Sequence, residues 1–219
     1  MIPTTLSLSL RTTKQLKTIA TVSILSVTYF AIIIVTLHFL RPDLNPISQP
    51  TSQYAVGTYG FLMTSAFFCM SIASFALLIG LYQGLPQPAR SRMGLGLLGL
   101  WGVGVLIAML FPIDPEGSPQ TIAGTIHRIN GPLAFLSATL STILLSKGFQ
   151  QDESWRPVHG PARILSWVML AAYIAGFLSI VTDSGFAGLT QRMDLAALVT
   201  WMLLTAARLR TLALGSVSA

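Results

Sequence analysis

The sequence predicts an all-α protein, a polytopic bundle of six transmembrane helices with both termini in the cytoplasm. Three observations carry this. Only 9% of the 219 residues are charged and 53% are hydrophobic; soluble domains carry about 25% charged residues, so a water-soluble fold of this size would lack the charge to cover its surface. Six segments are long and apolar enough to cross a hydrocarbon core about 30 Å thick, which takes about 20 helical residues. Finally, Lys and Arg alternate in density from one connecting segment to the next, as spans of alternating direction require.

Residues 1–17 read as a cytoplasmic N-terminal segment, with Arg11, Lys14 and Lys17 ahead of the first apolar run. That run, 18–40, is longer than the roughly 7–15 residues of a signal-peptide core, and no small-x-small cleavage site follows it. It reads as a retained first helix. Helix 2 is expected over 57–83 and helix 3 over 93–112. Helix 4 is expected to open at Ser118-Pro119, with serine as N-cap and proline in the first turn. It should kink at Gly131-Pro132 and end at Ser146. Helix 5 is expected over 162–182 and helix 6 over 187–208. Residues 18–210 thus form one transmembrane domain, followed by a cytoplasmic tail, 211–219. Trp155 and His159 fall in a loop with Pro157 and Pro161, read as interfacial anchoring. Cys69, the single cysteine, has no internal disulfide partner.

The net charge of +6 and pI near 10 do not indicate a nucleic-acid partner, because the basic residues flank apolar runs and form no patch. Ten of them (Arg11, Lys14, Lys17, Arg90, Arg92, Lys147, Arg156, Arg163, Arg208 and Arg210) fall on one side. Only Arg41, Arg128 and Arg192 fall on the other. The positive-inside rule puts the larger group in the cytoplasm. Small residues recur at helical spacing in Ala171, Ala175 and Ser179, in Ala134 with Ala138, in Ser137 with Ser141, and in Gly96, Gly99 and Gly102. Such stripes let helices approach closely in lipid. They serve packing within the bundle or, as the alternative, a homo-oligomer face.

The outer side concentrates polar chemistry. It holds Asp43, Asp114, Glu116, Asp183 and Asp194, five of the seven acidic residues, with His38 and His127. Helix 6 adds an argument from length. The uncharged run 195–207 makes only about 20 Å of helix, too short to span, so the helix must begin near Ala187 and draw Arg192 and Asp194 into the hydrocarbon edge. Ionisable residues at such depth face the bundle interior or a wet cavity. Asp194 is expected to be ionised and paired with an arginine of another helix, Arg128 first, or else protonated and hydrogen-bonded. The candidate ligand-binding network is therefore His38, Arg41, Asp43, Asp114, His127, Arg128, Asp183, Arg192 and Asp194. The partners it implies are the lipid bilayer and a lipid headgroup or other small molecule. The plainer reading is that these groups only tie helix ends together.

No metal and no cofactor is expected. No short zinc spacing of the HExxH kind occurs; a b-type haem takes two facing histidines within the membrane, and His38 and His127, at the same side, could serve one haem at most. Nucleophile-elbow, P-loop and dinucleotide fingerprints are absent from the sequence. The activity stays open between a ligand- or lipid-binding protein, a membrane enzyme acting on a lipid headgroup through His127 and a carboxylate, and a small transporter.

The stretch HFLRPDLNPISQPTSQYAVGTYGFLMTSAFF resembles the start of the bacterial membrane family catalogued as domain of unknown function 998, through Arg41-Pro42-Asp43, Asn45-Pro46, Ser52, Tyr54, Gly57, Tyr59 and Gly60. The segment FPIDPEGSPQTIAGTIHRINGP is similar to the family's second block, through Phe111, Pro112, Asp114, Gly124 and His127. GLTQRMDLAALVTWM is similar to its last, through Gly188, Leu189, Arg192 and Trp201. More distantly, the order of blocks resembles the Frag1/DRAM membrane proteins. The likeness spans residues 20–210 and implies a six-helix bundle in the bacterial inner (plasma) membrane. It supplies no substrate and no catalytic residue.

With both termini cytoplasmic, a C-terminal alkaline phosphatase fusion is expected to be inactive in the periplasm; high phosphatase activity in intact cells reverses the orientation.

Overall fold

In the computed structural model, the backbone of residues 4–215 and the side chains of residues 13–214 are described. Six helices run antiparallel in sequence: α1 (Thr4–Leu40), α2 (Gly60–Gly84), α3 (Arg92–Leu110), α4 (Ile122–Phe149), α5 (Arg156–Val181) and α6 (Ala187–Gly215). Two short 3-10 turns, Thr51–Ala55 and Gln87–Ala89, lie between them, and no strand occurs among the described residues. All six helices are long and apolar enough to span a membrane. The chain is a multi-pass membrane protein. The segments 41–59, 111–121 and 182–186 gather at one end of the bundle, called here the cap face. The start of α1 and the end of α6 lie at the opposite, terminal face.

Where the helix bounds depart from expectation, local chemistry explains it. α2 starts at Gly60 rather than 57 because Gly57 and Tyr59 have φ of +77° and +65°, a left-handed conformation that cannot continue a right-handed helix. α3 stops at Leu110 because Pro112 pushes Phe111 out of the helical region, to φ −120° and ψ 87°. The N-cap of α4 is Thr121, not Ser118; its hydroxyl accepts from Gly124 N at 3.0 Å, while Ser118 closes a turn onto the Pro115 carbonyl. α4 then runs unbroken through Pro132. α5 begins at Arg156, six residues early, since Pro157 sits in its first turn where no N–H is required. α1 begins at Thr4, so the basic residues before the first apolar span continue its helix.

Each helix packs on its sequence neighbour, and α6 returns to α1 to close a ring. Lipid gives no hydrophobic drive for helices to associate, so small residues and side-chain hydrogen bonds hold the contacts. Ser23 of α1 donates to Ala73 O of α2 (3.1 Å), Ser71 of α2 to Gly102 O of α3 (2.9 Å), and Ser141 of α4 to Gly94 O of α3 (2.8 Å). Deeper toward the terminal face, Ser146 of α4 meets Ser166 of α5 (3.2 Å) and accepts from Trp201 Nε1 of α6 (2.9 Å). Trp155 is buried and stacks on Phe149 at 5.0 Å, and His159 donates from Nδ1 to Ser146 O at 2.7 Å. Trp155 is thus packed in the core as the N-cap residue of α5, and His159, half-buried in its first turns, ties α5 to α4.

The small-residue stripes divide. Ala134, Ala138, Ser137 and Ser141 are buried within the bundle, whereas Ala171, Ala175 and Gly96 face outward. Gly104 lets α3 lie close against α4: a Cβ there would stand 2.6 Å from Ala134 Cβ. Gly104→Val is therefore expected to cost about 1–3 kcal/mol through overpacking, read as a lower unfolding temperature in detergent. Gly96→Ala has nothing within 4 Å of the new methyl and should be neutral or slightly stabilising.

Candidate functional site

The cap is the segment 41–59 folded over the mouth of the bundle, with Thr51, Ser52, Gln53 and Tyr54 buried beneath it. Two arginines fasten it. Arg41, at the end of α1, is 9% exposed; its Nε and Nη2 grip Asp43 at 2.9 and 2.7 Å, and its Nη1 donates to Val56 O and Thr58 O at 2.8 and 3.2 Å. The second, Arg192, reaches across from the second turn of α6. Its Nε donates to His38 Nε2 (2.8 Å), its Nη1 to Pro46 O, Gln49 O and Gly188 O (2.8, 2.7 and 3.0 Å), and its Nη2 to Tyr54 OH (3.1 Å).

The His38 ring is fixed by these contacts. Arginine can only donate, so Nε2 accepts; Nδ1, 2.6 Å from Ile34 O, must carry the hydrogen. His38 also packs edge-on against Tyr54, with ring centroids 5.4 Å apart. Gly188 lets the cap lie flush on α6, since a Cβ there would collide with the backbone of Gln49 and Pro46. Leu189 N donates to Ile47 O (2.8 Å), and Gln191 Oε1 accepts from both Thr51 N and Thr51 Oγ1 (2.7 and 3.0 Å).

Asp114 belongs to the start of α4. Its carboxylate accepts from Thr121 Oγ1 and N (2.6 and 3.1 Å) and occupies the space a side chain at Gly124 would need. The Thr121 hydroxyl and N–H, with the charge of Arg128, hold the Asp114 carboxyl below the usual carboxylate range. Arg41 does the same for Asp43, and that bond raises Arg41 in turn. Both carboxylates therefore contribute fully above their ordinary value of 3.8, and the contribution is lost only as pH falls through the lower folded-state value.

Of the nine candidates, the structure joins His38 to Arg192 and Arg41 to Asp43, and brings Arg128 within electrostatic range of Asp114. Among the described residues no hydrogen bond or ion pair links any two of His38, Asp114, His127 and Asp183. Asp183 is exposed in the α5–α6 turn at φ +50°. The expected Asp194–Arg128 pair does not form: Arg128 is exposed, and Arg41–Asp43 is the one ion pair among the described residues. Asp194 is buried, with Oδ1 lacking a hydrogen-bond partner. No group of His, Cys, Asp and Glu able to hold a metal occurs among the described residues.

His127 takes a different place. Its Nδ1 donates to Phe111 O at 2.9 Å, and the ring lines a cavity of about 60 Å³ directly beneath the cap. Thr51, Ser52, Asn130 and Gln191 supply the other polar lining, and Phe30, Phe67, Met70 and Leu195 much of the apolar floor. Trp101 also lines it, and its buried Nε1 has no partner. Trp101, Thr51 and Gln191 carry no signal for this role in the sequence, because uncharged side chains far apart along the chain form neither a motif nor a charge pattern; Ser52 stands out only through the family resemblance. On the bilayer side of the α3–α4 seam lies an apolar groove of about 380 Å³; it shares Gly104, Asn130 and Ala134 with the cavity, and Asn130 Nδ2 bridges the seam to Gly104 O (2.8 Å).

Fold and site together define an integral membrane protein whose helix ring is roofed by an arginine-fastened loop. A family model described as protein of unknown function (DUF998) matches residues 24–208, and the chain belongs to that family. No curated protein and no solved structure matches it.

Arg192→Lys should loosen the cap as much as Arg192→Ala, because a single ammonium cannot serve His38, Tyr54 and the carbonyls together. A loss of about 1.5–3 kcal/mol is expected, measured as a lower unfolding temperature and faster protease cleavage within 41–59. At about pH 5 the parent protein should keep its cap, since Asp43 and Asp114 remain ionised there.

Proposed function

We propose that this chain is a membrane binding protein that takes an uncharged, amphipathic molecule, a lipid of that kind or a smaller compound, into the cavity beneath its cap. The observation that supports it is the lining: polar groups of Thr51, Gln191, His127 and Asn130 over an apolar floor, with the Trp101 indole N–H unmet. A buried donor without a partner costs about 1–3 kcal/mol, a cost that a bound hydroxyl or carbonyl oxygen would remove. Size argues for the tip of a molecule rather than its whole: about 60 Å³ exceeds what one water needs and falls short of the roughly 150 Å³ that holds an aromatic ring. The groove across the Gly104–Asn130 seam is a path by which the remainder could lie in the bilayer.

Charge selects the class. The two arginines at the cap spend their donors on Asp43, His38, Tyr54 and backbone carbonyls, so a phosphate has no unengaged buried cation to meet. On the orientation proposed above, with termini in the cytoplasm of a bacterial inner membrane, the cap faces outward and the ligand comes from the outer leaflet.

Monoolein, with a glycerol head and one acyl chain, is a suitable probe. It is expected to raise the unfolding temperature of the purified protein in a saturable manner, by the mass-action stabilisation of a ligand bound only to the folded state. Val105→Phe, which fills the cavity, should abolish the rise. Equal shifts in parent and variant, or a shift with phosphatidylglycerol alone, would refute the reading.

A further inference from the structure

A second polar layer lies deeper in the bundle, separate from the cap and its cavity. Its position follows from the layer already described, where Ser146, Ser166 and Trp201 join α4, α5 and α6. Seven residues make nearly two helical turns, about 10 Å of rise, and return almost to the same face. Seven residues toward the cap from each of the three stand Thr139 on α4, Tyr173 on α5 and Asp194 on α6. The antiparallel course of α5 makes the step run forward there and backward on the other two. The three side chains therefore occupy the same faces as the lower triad, one layer nearer the cap.

Their bonding is unlike that of the lower triad. Thr139 Oγ1 and Asp194 Oδ1 are buried without a hydrogen-bond partner, and they are two of only three such atoms among the described residues. Thr139 is fully buried and Asp194 is 2% exposed. Other buried or half-buried threonines, Thr64 and Thr205, return their hydroxyl to the carbonyl four residues back; Thr139 does not. Tyr173, half-buried, is close enough to Asp194 for their charges to interact. A carboxylate in the membrane interior cannot stand uncompensated. Arg192 does not compensate it: two positions along a helix point in widely different directions, and its guanidinium is committed to His38, Tyr54 and three carbonyls.

We propose that Thr139, Tyr173 and Asp194 form a binding site in the membrane interior for a monovalent cation taken from solution, a proton or a sodium ion held on the Asp194 carboxyl. The two hydroxyls supply the neighbouring oxygens for either. On the helices packed against α6, the fixed cations Lys14 and Lys17 of α1, Arg128 and Lys147 of α4, and Arg156 and Arg163 of α5 are all exposed, and none forms an ion pair with Asp194. His127 is held to Phe111 O, His159 to Ser146 O and His38 to Arg192, and Cys69 on α2 is a free thiol. With no fixed cation paired to Asp194, the compensating charge is exchangeable. The site does not depend on the ligand proposed for the cap cavity.

Dicyclohexylcarbodiimide tests it, since this apolar reagent adds to protonated carboxyls in apolar surroundings. The intact protein in liposomes is treated over a range of pH and each acidic peptide is quantified by mass spectrometry. At neutral pH the adduct at Asp194 should exceed that at the exposed Asp43 and Asp183 by about tenfold or more, one pH unit of difference being a factor of ten in protonated fraction. If the cation is a proton, labelling falls only as pH rises and ignores salt. If it is sodium, NaCl suppresses labelling at alkaline pH and equal choline chloride does not. Thr139→Val, nearly isosteric, should shift the pH or sodium midpoint. Asp194→Asn should fold, give no adduct at that peptide, and lose the dependence of unfolding temperature on the same variable. Labelling at Asp194 no greater than at the exposed carboxylates, or unresponsive to both pH and sodium, would overturn the proposal while leaving the monoolein result untouched.

Discussion

Within hydrocarbon, one helix gains nothing from the hydrophobic effect by touching another, because lipid tails are as apolar as leucine. Everything in this fold answers to that constraint. Its helices meet where a glycine or alanine brings backbones close enough for a short hydroxyl or side-chain amide to reach a neighbouring carbonyl: Ser71 to Gly102, Ser141 to Gly94, Asn130 to Gly104. The carbonyls involved already serve as helix acceptors, and their second lone pair makes the extra bond possible without breaking the helix. The large apolar side chains Leu25, Ile32, Val35 and Phe39 of α1 are left outside, where a soluble protein would bury them.

The same constraint governs charge. A guanidinium at the hydrocarbon edge is tolerable when its N–H groups are met, and Arg192 meets five acceptors drawn from α1, the cap and α6. Arg41 is satisfied as completely from the other side of the cap. The two together fasten over the bundle a segment whose one regular element is the 3-10 turn Thr51–Ala55. Asp194 is the contrast. It lies two residues from Arg192, yet the helical twist separates their environments, and one is saturated while the other is not.

How far this was legible in the sequence depends on which signal each residue carries. Six spans and the α6 start at Ala187 follow from hydropathy and length, which act through composition and need no knowledge of contacts. The cap was visible only as a set of residues: Arg41, Tyr54, Gly57, Gly60, Gly188 and Arg192, on which the family resemblance rests, all prove to lie in it or against it. What joins them was hidden, since the acceptors of Arg192 are largely backbone carbonyls of Pro46, Gln49 and Gly188, and any residue type supplies a carbonyl. Charge counting likewise suggested Arg128 for Asp194. It could not know that Asp114 and Thr121 would build the start of α4 beside Arg128 instead. The cavity was least legible, because Trp101, Thr51 and Gln191 converge from three distant segments.

The α6–cap contact also orders events during synthesis. The cap leaves the ribosome between the first and second spans, yet its fastening residue Arg192 lies 146 positions after Pro46. Until the last hairpin inserts, Pro46 O and Gln49 O have no guanidinium, Thr51 lacks Gln191, and α1 has no α6 beside it. The roof is thus the final part to set, although its own residues are among the earliest made. A nascent or truncated chain lacking the last helix would hold the 41–59 loop by Arg41 alone, without the Arg192 contacts that bind it to the bundle.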